Sequence, residues 1–297
     1  GVLTALSAAI LAFTKEGDEI LIQPPVYFPF RSTIEALGRK VLNSQLQYED
    51  GKFSIHLKDL KEKAKRARML VFCSPHNPSG RVWNREELEQ VEGICRKHDL
   101  LVFSDEIHSD IVYAPNKHIV FASLSPWSRE HSIVAMAPSK TFNLAGLVGS
   151  YHIIYNPTLR DRIVAKSSKC HYNDMNVLSM HALIGAYRPE GHEWLDELKA
   201  VLTGNVDYAY DYITKHFQGV SLAKPEGTYM LLLDCEQWCK AHGLTLAELE
   251  KRGWDVGVDW QDGSMFQAPY SIRVNLALPL SRIKEAMRRL DQYVFNA

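Results

Sequence analysis

Lys140 stands in the run Met136-Ala137-Pro138-Ser139-Lys140-Thr141-Phe142-Asn143-Leu144-Ala145-Gly146, among small and apolar residues and with no carboxylate beside it in sequence. A buried ammonium is costly, so desolvation in such surroundings lowers the lysine pKa and yields a neutral amine able to attack an aldehyde and form a Schiff base. From this window alone, a surface lysine in a loop is the competing reading. Two more polar groups follow short apolar runs in the same way: Asn77 in Ser74-Pro75-His76-Asn77-Pro78-Ser79-Gly80, and Asp105 in Ser104-Asp105-Glu106-Ile107-His108. An amine, a carboxylate and an amide brought to one sheet edge suit an aromatic cofactor that carries an aldehyde, a pyridine nitrogen and a phenolic oxygen. Plainer readings exist for each, since Asp105 could cap a helix and Asn77 could merely open an Asn-Pro turn.

The elements that must position these groups are legible as short β-rich runs: 19–23, 40–46, 69–74, 100–104, 132–136 and 150–155. Helical patterns lie between them, the clearest over 84–98, where Asn84 caps, Glu86 and Glu87 occupy the first turn, and Leu88, Val91, Ile94 and Cys95 share a face. Such alternation predicts an α/β fold, a mostly parallel sheet covered on both faces, with functional groups at the carboxyl ends of its strands. After Pro157 the pattern turns helical, with a long amphipathic stretch over 193–217, and the remainder reads as α+β, with strands at 228–234 and 271–276 and a closing helix over 281–295. We therefore expect a large domain over residues 1–197 and a small one over 198–297.

With 46% hydrophobic and 23% charged residues among 297, the chain has ordinary globular composition. Thirty-four basic against thirty-five acidic residues give a net charge of -1, without the basic footprint of a nucleic-acid binder; a small neutral or zwitterionic partner fits better. The cysteines, 73, 95, 170, 235 and 239, form no paired zinc pattern and read as free thiols of a reducing compartment. No apolar run approaches the roughly 18 residues of a membrane helix and no signal peptide is visible, so a cytoplasmic location is expected. The chain opens at Gly1-Val2-Leu3-Thr4 directly into a helical pattern, without an initiator methionine, as a fragment would.

Three segments, SPHNPSGRVW (74–83), SDEIHSDIVY (104–113) and APSKTFNLAGL (137–147), in this order and spacing, resemble the fold-type I pyridoxal-phosphate enzymes of the aminotransferase class I and II superfamily. More narrowly they are similar to its cystathionine β-lyase branch, the MalY/PatB-type C–S lyases. The resemblance covers essentially the whole chain and implies a three-layer αβα fold with a smaller C-terminal α+β domain, pyridoxal 5'-phosphate as cofactor and a homodimer. It implies that Lys140 holds the cofactor covalently, that Asp105 pairs the pyridinium, and that Asn77 donates to the ring hydroxyl. By the same resemblance Tyr27, in Gln23-Pro24-Pro25-Val26-Tyr27, stacks on the ring, while the helix start at Gly1 and Val2, together with Ser139, takes the phosphate. A core tyrosine is the alternative for Tyr27. Arg273, a guanidinium inside the apolar run Ser271-Ile272-Arg273-Val274-Asn275-Leu276, needs an anionic partner; the resemblance makes that a substrate α-carboxylate, with a structural salt bridge as the competing account.

Departures refine the expectation. Ala137 and Val148 stand where many aminotransferases carry a phosphate-binding serine and arginine, and His108 stands in place of a tyrosine that contacts the ring oxygen. These differences favour a C–S β-lyase that eliminates a thiol from cystathionine or a cysteine S-conjugate, over an aminotransferase. A truncated or regulatory binding protein is the reading from another class. Relative to the family, roughly a fifth to a quarter of a full-length chain is expected before Gly1.

Overall fold

The computed structural model describes residues 1–169 and 174–296. The apolar runs of the first half form one six-stranded sheet from β1 (Glu19–Ile22), β2 (Lys40–Asn43), β5 (Ala67–Cys73), β6 (Leu101–Asp105), β7 (Ser132–Met136) and β8 (Tyr151–Ile153), in the order β2-β1-β5-β6-β7-β8. Neighbours are parallel except β8, which runs antiparallel to β7. Between β2 and β5 lies a small hairpin of β3 (Gln47–Glu49) and β4 (Lys52–Ser54) that turns at Asp50-Gly51, both with positive φ. The hairpin lies outside the strands expected from the sequence, although an Asp-Gly pair is the turn chemistry that such a connection uses.

Alternation along β5 divides the interior. Met69, Val71 and Cys73 pack on one face with α1 (Val2–Phe13), α2 (Pro29–Ala36) and Ile163 of α6 (Pro157–Ser168), whereas Leu70 and Phe72 pack on the other with α3 (Leu57–Ala64) and α4 (Arg85–Lys97). This gives the three expected layers. Asn84 caps α4 as its sequence predicts: its side chain accepts from the Glu87 amide, and Glu87 returns the bond to the Asn84 amide. A short helix α5 (Pro126–Glu130) precedes β7.

The second half adds α7 (Val177–Ala186), the long α8 (Pro189–His216), α9 (Glu236–His242), α10 (Leu246–Asp255) and α11 (Leu280–Leu290), which continues as a π-helical turn over Asp291–Phe295. Four strands, β9 (Ser221–Leu222), β10 (Met230–Asp234), β11 (Gln261–Asp262) and β12 (Ser271–Asn275), form an antiparallel sheet in the order β11-β12-β10-β9. Its core joins Leu202, Val206, Ala209 and Ile213 of α8 to Leu231, Leu233, Ile272 and Val274, and also takes in Ile111 and Tyr113 from the segment after β6. Among the described residues, no helix is long and apolar enough to cross a membrane.

Candidate active site

The carboxyl ends of three adjacent strands are in register: Cys73 of β5 lies opposite Asp105 of β6, and Asp105 lies opposite Ala135 of β7. The chain leaves each strand at once, so Asn77, Asp105 and His108, and Ser139 and Lys140 are carried on neighbouring turns. They line one cavity of about 550 Å³, together with Gly1 and Val2 at the start of α1, Tyr27 before α2, and Arg273 of β12. Every site residue expected from the sequence is thus on this surface.

Local structure explains several placements. Asn77 does open a turn, and that turn is fixed from outside. Gly80 has φ +71, donates its amide to the His76 carbonyl, and packs so closely that an added Cβ would lie 2.3 Å from Pro225 Cβ. The Gly80 carbonyl accepts from the Glu226 and Gly227 amides, and buried Arg81 bonds Glu87, Glu226 and the Phe53 carbonyl. Asp105 is not a helix cap: one of its oxygens accepts from the Ile107 amide at 3.1 Å within the turn that leaves β6. Its neighbour Glu106 faces away from the cavity lining and is consumed structurally, accepting from Ser104 Oγ, His118 Nε2 and the Phe121 amide.

On β12, Ile272 and Val274 face the small core, and Arg273 with Asn275 faces the cavity. The salt-bridge account of Arg273 does not hold among the described residues. Its guanidinium donates to Asn77 Oδ1 at 2.7 Å and to Gln261 Oε1, both neutral, and lies over the Phe266 ring at 4.5 Å. The bond from Arg273 also settles the Asn77 amide, since with Oδ1 engaged the NH₂ is the group left to donate into the cavity.

Electrostatics follow from burial. Desolvation pushes the Asp105 carboxyl up to about 7, against the opposing pull of the Ile107 amide and Lys140. Lys140 is lowered from its ordinary value, first by desolvation and then by Arg273. His108, buried and with Nδ1 making no hydrogen bond among the described residues, is held neutral, its pKa brought down to about 3 by desolvation. Tyr27 is raised by burial and sits edge-on to Phe30 with ring centroids 5.6 Å apart. The cavity thus holds a buried carboxyl without a bound cation, a lysine biased toward the free amine, an unpartnered imidazole nitrogen and a cation without a carboxylate. An aromatic pyridinium aldehyde phosphate is complementary to the carboxyl, the amine and the amide of this cavity, so the residues present fit the cofactor expected above. Twelve-residue α1 opens on the same cavity, and the first-turn amides of a helix have no intrahelical acceptor and favour an anion.

Tyr229 and Gln261 are among the lining residues that were not expected from the sequence. Tyr229 lies edge-on to His108 with centroids 5.7 Å apart. Ala137 and Val148 also line the cavity and bring no polar side chain; Val148 has φ 59, a conformation unusual for a β-branched residue.

Comparison with known proteins places this geometry. The family described as Aminotransferase class I and II matches residues 1–290. Cystathionine beta-lyase PatB of Bacillus subtilis (strain 168) is 37% identical over 98% of this chain and 75% of its own length. Protein MalY of Escherichia coli (strain K12) is 31% identical over 97% of this chain and 74% of its own length. Among solved structures, cystalysin from Treponema denticola, which contains a pyridoxal 5'-phosphate cofactor, superposes with a TM-score of 0.93 at 33% identity, covering 99% of this chain and 75% of that one. On the match over residues 1–290 and these identities, the chain belongs to the aminotransferase class I and II family.

Proposed function

We propose that the chain is a pyridoxal-phosphate-dependent C–S β-lyase that converts cystathionine or a related cysteine S-conjugate, with water, into a thiol, pyruvate and ammonia. The observation that carries the reading is the meeting of Lys140, Asp105, Asn77 and a carboxylate-free Arg273 in one cavity. The names of the relatives PatB, a cystathionine beta-lyase, and cystalysin support elimination over transamination.

In this reading Asp105 pairs the ring nitrogen, the Asn77 NH₂ donates to the ring oxygen, and Tyr27 covers the ring face. His108 contributes its unpartnered nitrogen on the same side as Tyr229. The Gly1 nitrogen and the Val2 amide, with the Ser139 hydroxyl, take the phosphate. When bound, the cofactor supplies an electron sink for the pair left at the substrate α-carbon. Arg273 binds the substrate carboxylate bidentately and so aims the α-hydrogen. The Lys140 amine, tethered beside that carbon, takes the α-proton; the Cβ–S pair then leaves with sulfur.

The large and small domains, over 1–197 and 198–297, divide within α8, and the cavity draws residues from both. A second copy of the chain covers the apolar face that α7 exposes through Val177, Leu178 and Ile184. Buried free thiols at Cys73, Cys95, Cys235 and Cys239 suit the cytoplasm; Cys170 lies outside the described residues.

An aminotransferase remains the second reading, because the family description names that activity and the groups above serve it equally. The cofactor part of the proposal is tested by mixing the protein with pyridoxal phosphate and recording the visible absorption. A band is expected that Lys140→Ala removes, with activity falling about 10²–10⁴-fold from loss of the base alone. No band, or one unchanged in Lys140→Ala, contradicts the assignment.

A further inference from the structure

Resting on that reading, we propose that Asp110 is a positioning residue for Lys140, acting through Thr141. Asp110 is not among the residues that line the cavity. It lies five residues after Asp105 on the same strand-end segment, and its Oδ2 accepts two hydrogen bonds, from Thr141 Oγ1 at 2.8 Å and from Tyr187 Oη at 2.9 Å. Thr141 is buried and directly follows Lys140. One carboxylate oxygen therefore ties the segment bearing Asp105 and His108 to the turn bearing Ser139 and Lys140, setting the spacing between the groups at the two ends of the proposed cofactor ring.

The turn has few other restraints. Its backbone bonds are local, from the Phe142 amide to the Pro138 carbonyl and from the Leu144 amide to the Ser139 carbonyl. Among the described residues, Thr141 to Asp110 is the side-chain hydrogen bond that ties residues 138–144 to another element. The next residue, Phe142, is held between Tyr187, edge-on at 5.2 Å, and Trp194, stacked at 5.7 Å. Tyr187 lies at the C-terminal end of α7. Burial and the charge of Asp110 raise the Tyr187 phenol, which keeps it a donor. The second donor thereby fixes the carboxylate that Thr141 uses. Placement at this point matters because Lys140 serves two positions in turn, and a misplacement of about 1 Å can cost roughly 10²-fold in rate.

Thr141→Val removes the donor at nearly constant volume and provides the test. In the cofactor-loaded protein we expect kcat to fall about tenfold or more while KM stays within about twofold. The pH midpoint of the visible band should move by at least about half a unit, reflecting an altered setting of the Lys140 nitrogen. Thr141→Ser should restore both, and Thr141→Val combined with Asp110→Ala should be no worse than Asp110→Ala alone, as for residues acting as a unit. Should Thr141→Val fail to fold, Tyr187→Phe, which keeps the ring against Phe142, carries the same expected movement of the band midpoint. A wild-type kcat and an unmoved midpoint in the folded variant overturn the inference, as do losses that simply multiply in the double variant. The wild-type band tests the proposed function, and the variants' difference from it tests this inference, so the two fail separately.

Discussion

Asp105 accepts one hydrogen bond among the described residues, from the Ile107 amide, and burial raises its carboxyl to about 7. In the unfolded chain an aspartate titrates near about 3.9, so between these values the folded protein binds the extra proton. The sign follows: without a bound partner, the stability contributed at this position falls as pH rises from about 4 to about 7 and stays low above that. Asp105→Asn in the cofactor-free protein should therefore melt a few degrees higher than wild type at pH 8 and close to wild type at pH 4.5, while binding pyridoxal phosphate more weakly. Equal melting at pH 8, measured by thermal denaturation, contradicts this account of the carboxyl. That Asp105, Asn77, Lys140 and Arg273 would share one cavity was legible in sequence, because each follows or interrupts an apolar run within motifs that resemble one family. Tyr229 was not. It follows Thr228, whose φ of 66 breaks the alternation from which a strand residue's direction is read. Gln261 belongs to a two-residue strand whose existence depends on pairing with β12, a contact that no local pattern announces.

Among the elements, the turn over 76–81 joins the two sheets' surroundings, and its glycine is the sensitive point. Gly80→Ala places a Cβ 2.3 Å from Pro225 Cβ in a left-handed backbone position. Left-handed strain of about 1–2 kcal/mol together with overpacking of about 1–3 kcal/mol predicts a loss of roughly 2–5 kcal/mol, to be read from the denaturant midpoint. A loss below about 0.5 kcal/mol, the range of a neutral surface change, contradicts this. Element identity was well marked where local chemistry is strong, as at the Asn84 cap of α4. Ends were less visible: the helix expected from 193 begins at Pro189, because Pro at the first helical position is accepted there. The closing pattern over 281–295 is α-helical only to Leu290 before its π turn. The direction of β8, the antiparallel exception in the mostly parallel sheet that was expected, is set by its connection. Its connection from β7, residues 137–150, holds a short 3-10 turn at Ala145–Leu147 and no crossover helix, so the chain returns antiparallel.

At the scale of the molecule, the two larger sheets are joined so that Arg273 of the smaller one bonds Asn77 at the edge of the other. The three-layer order was readable because strand and helix runs alternate at regular spacing. The contact between the sheets was not, since it rests on Gly80, Arg81 and Glu226, which are far apart in sequence and acquire their roles only on packing. Under the proposed function, this joint would give substrate recognition by Arg273 and cofactor orientation by Asn77 a shared hydrogen bond. Elimination and transamination draw on the same groups and part only in the fate of the β-substituent. The most direct measurement is pyruvate release from cystathionine by the pyridoxal-phosphate-loaded protein in the absence of any oxo-acid acceptor. A C–S β-lyase releases pyruvate and a thiol under these conditions; turnover only when an oxo-acid acceptor is added contradicts it.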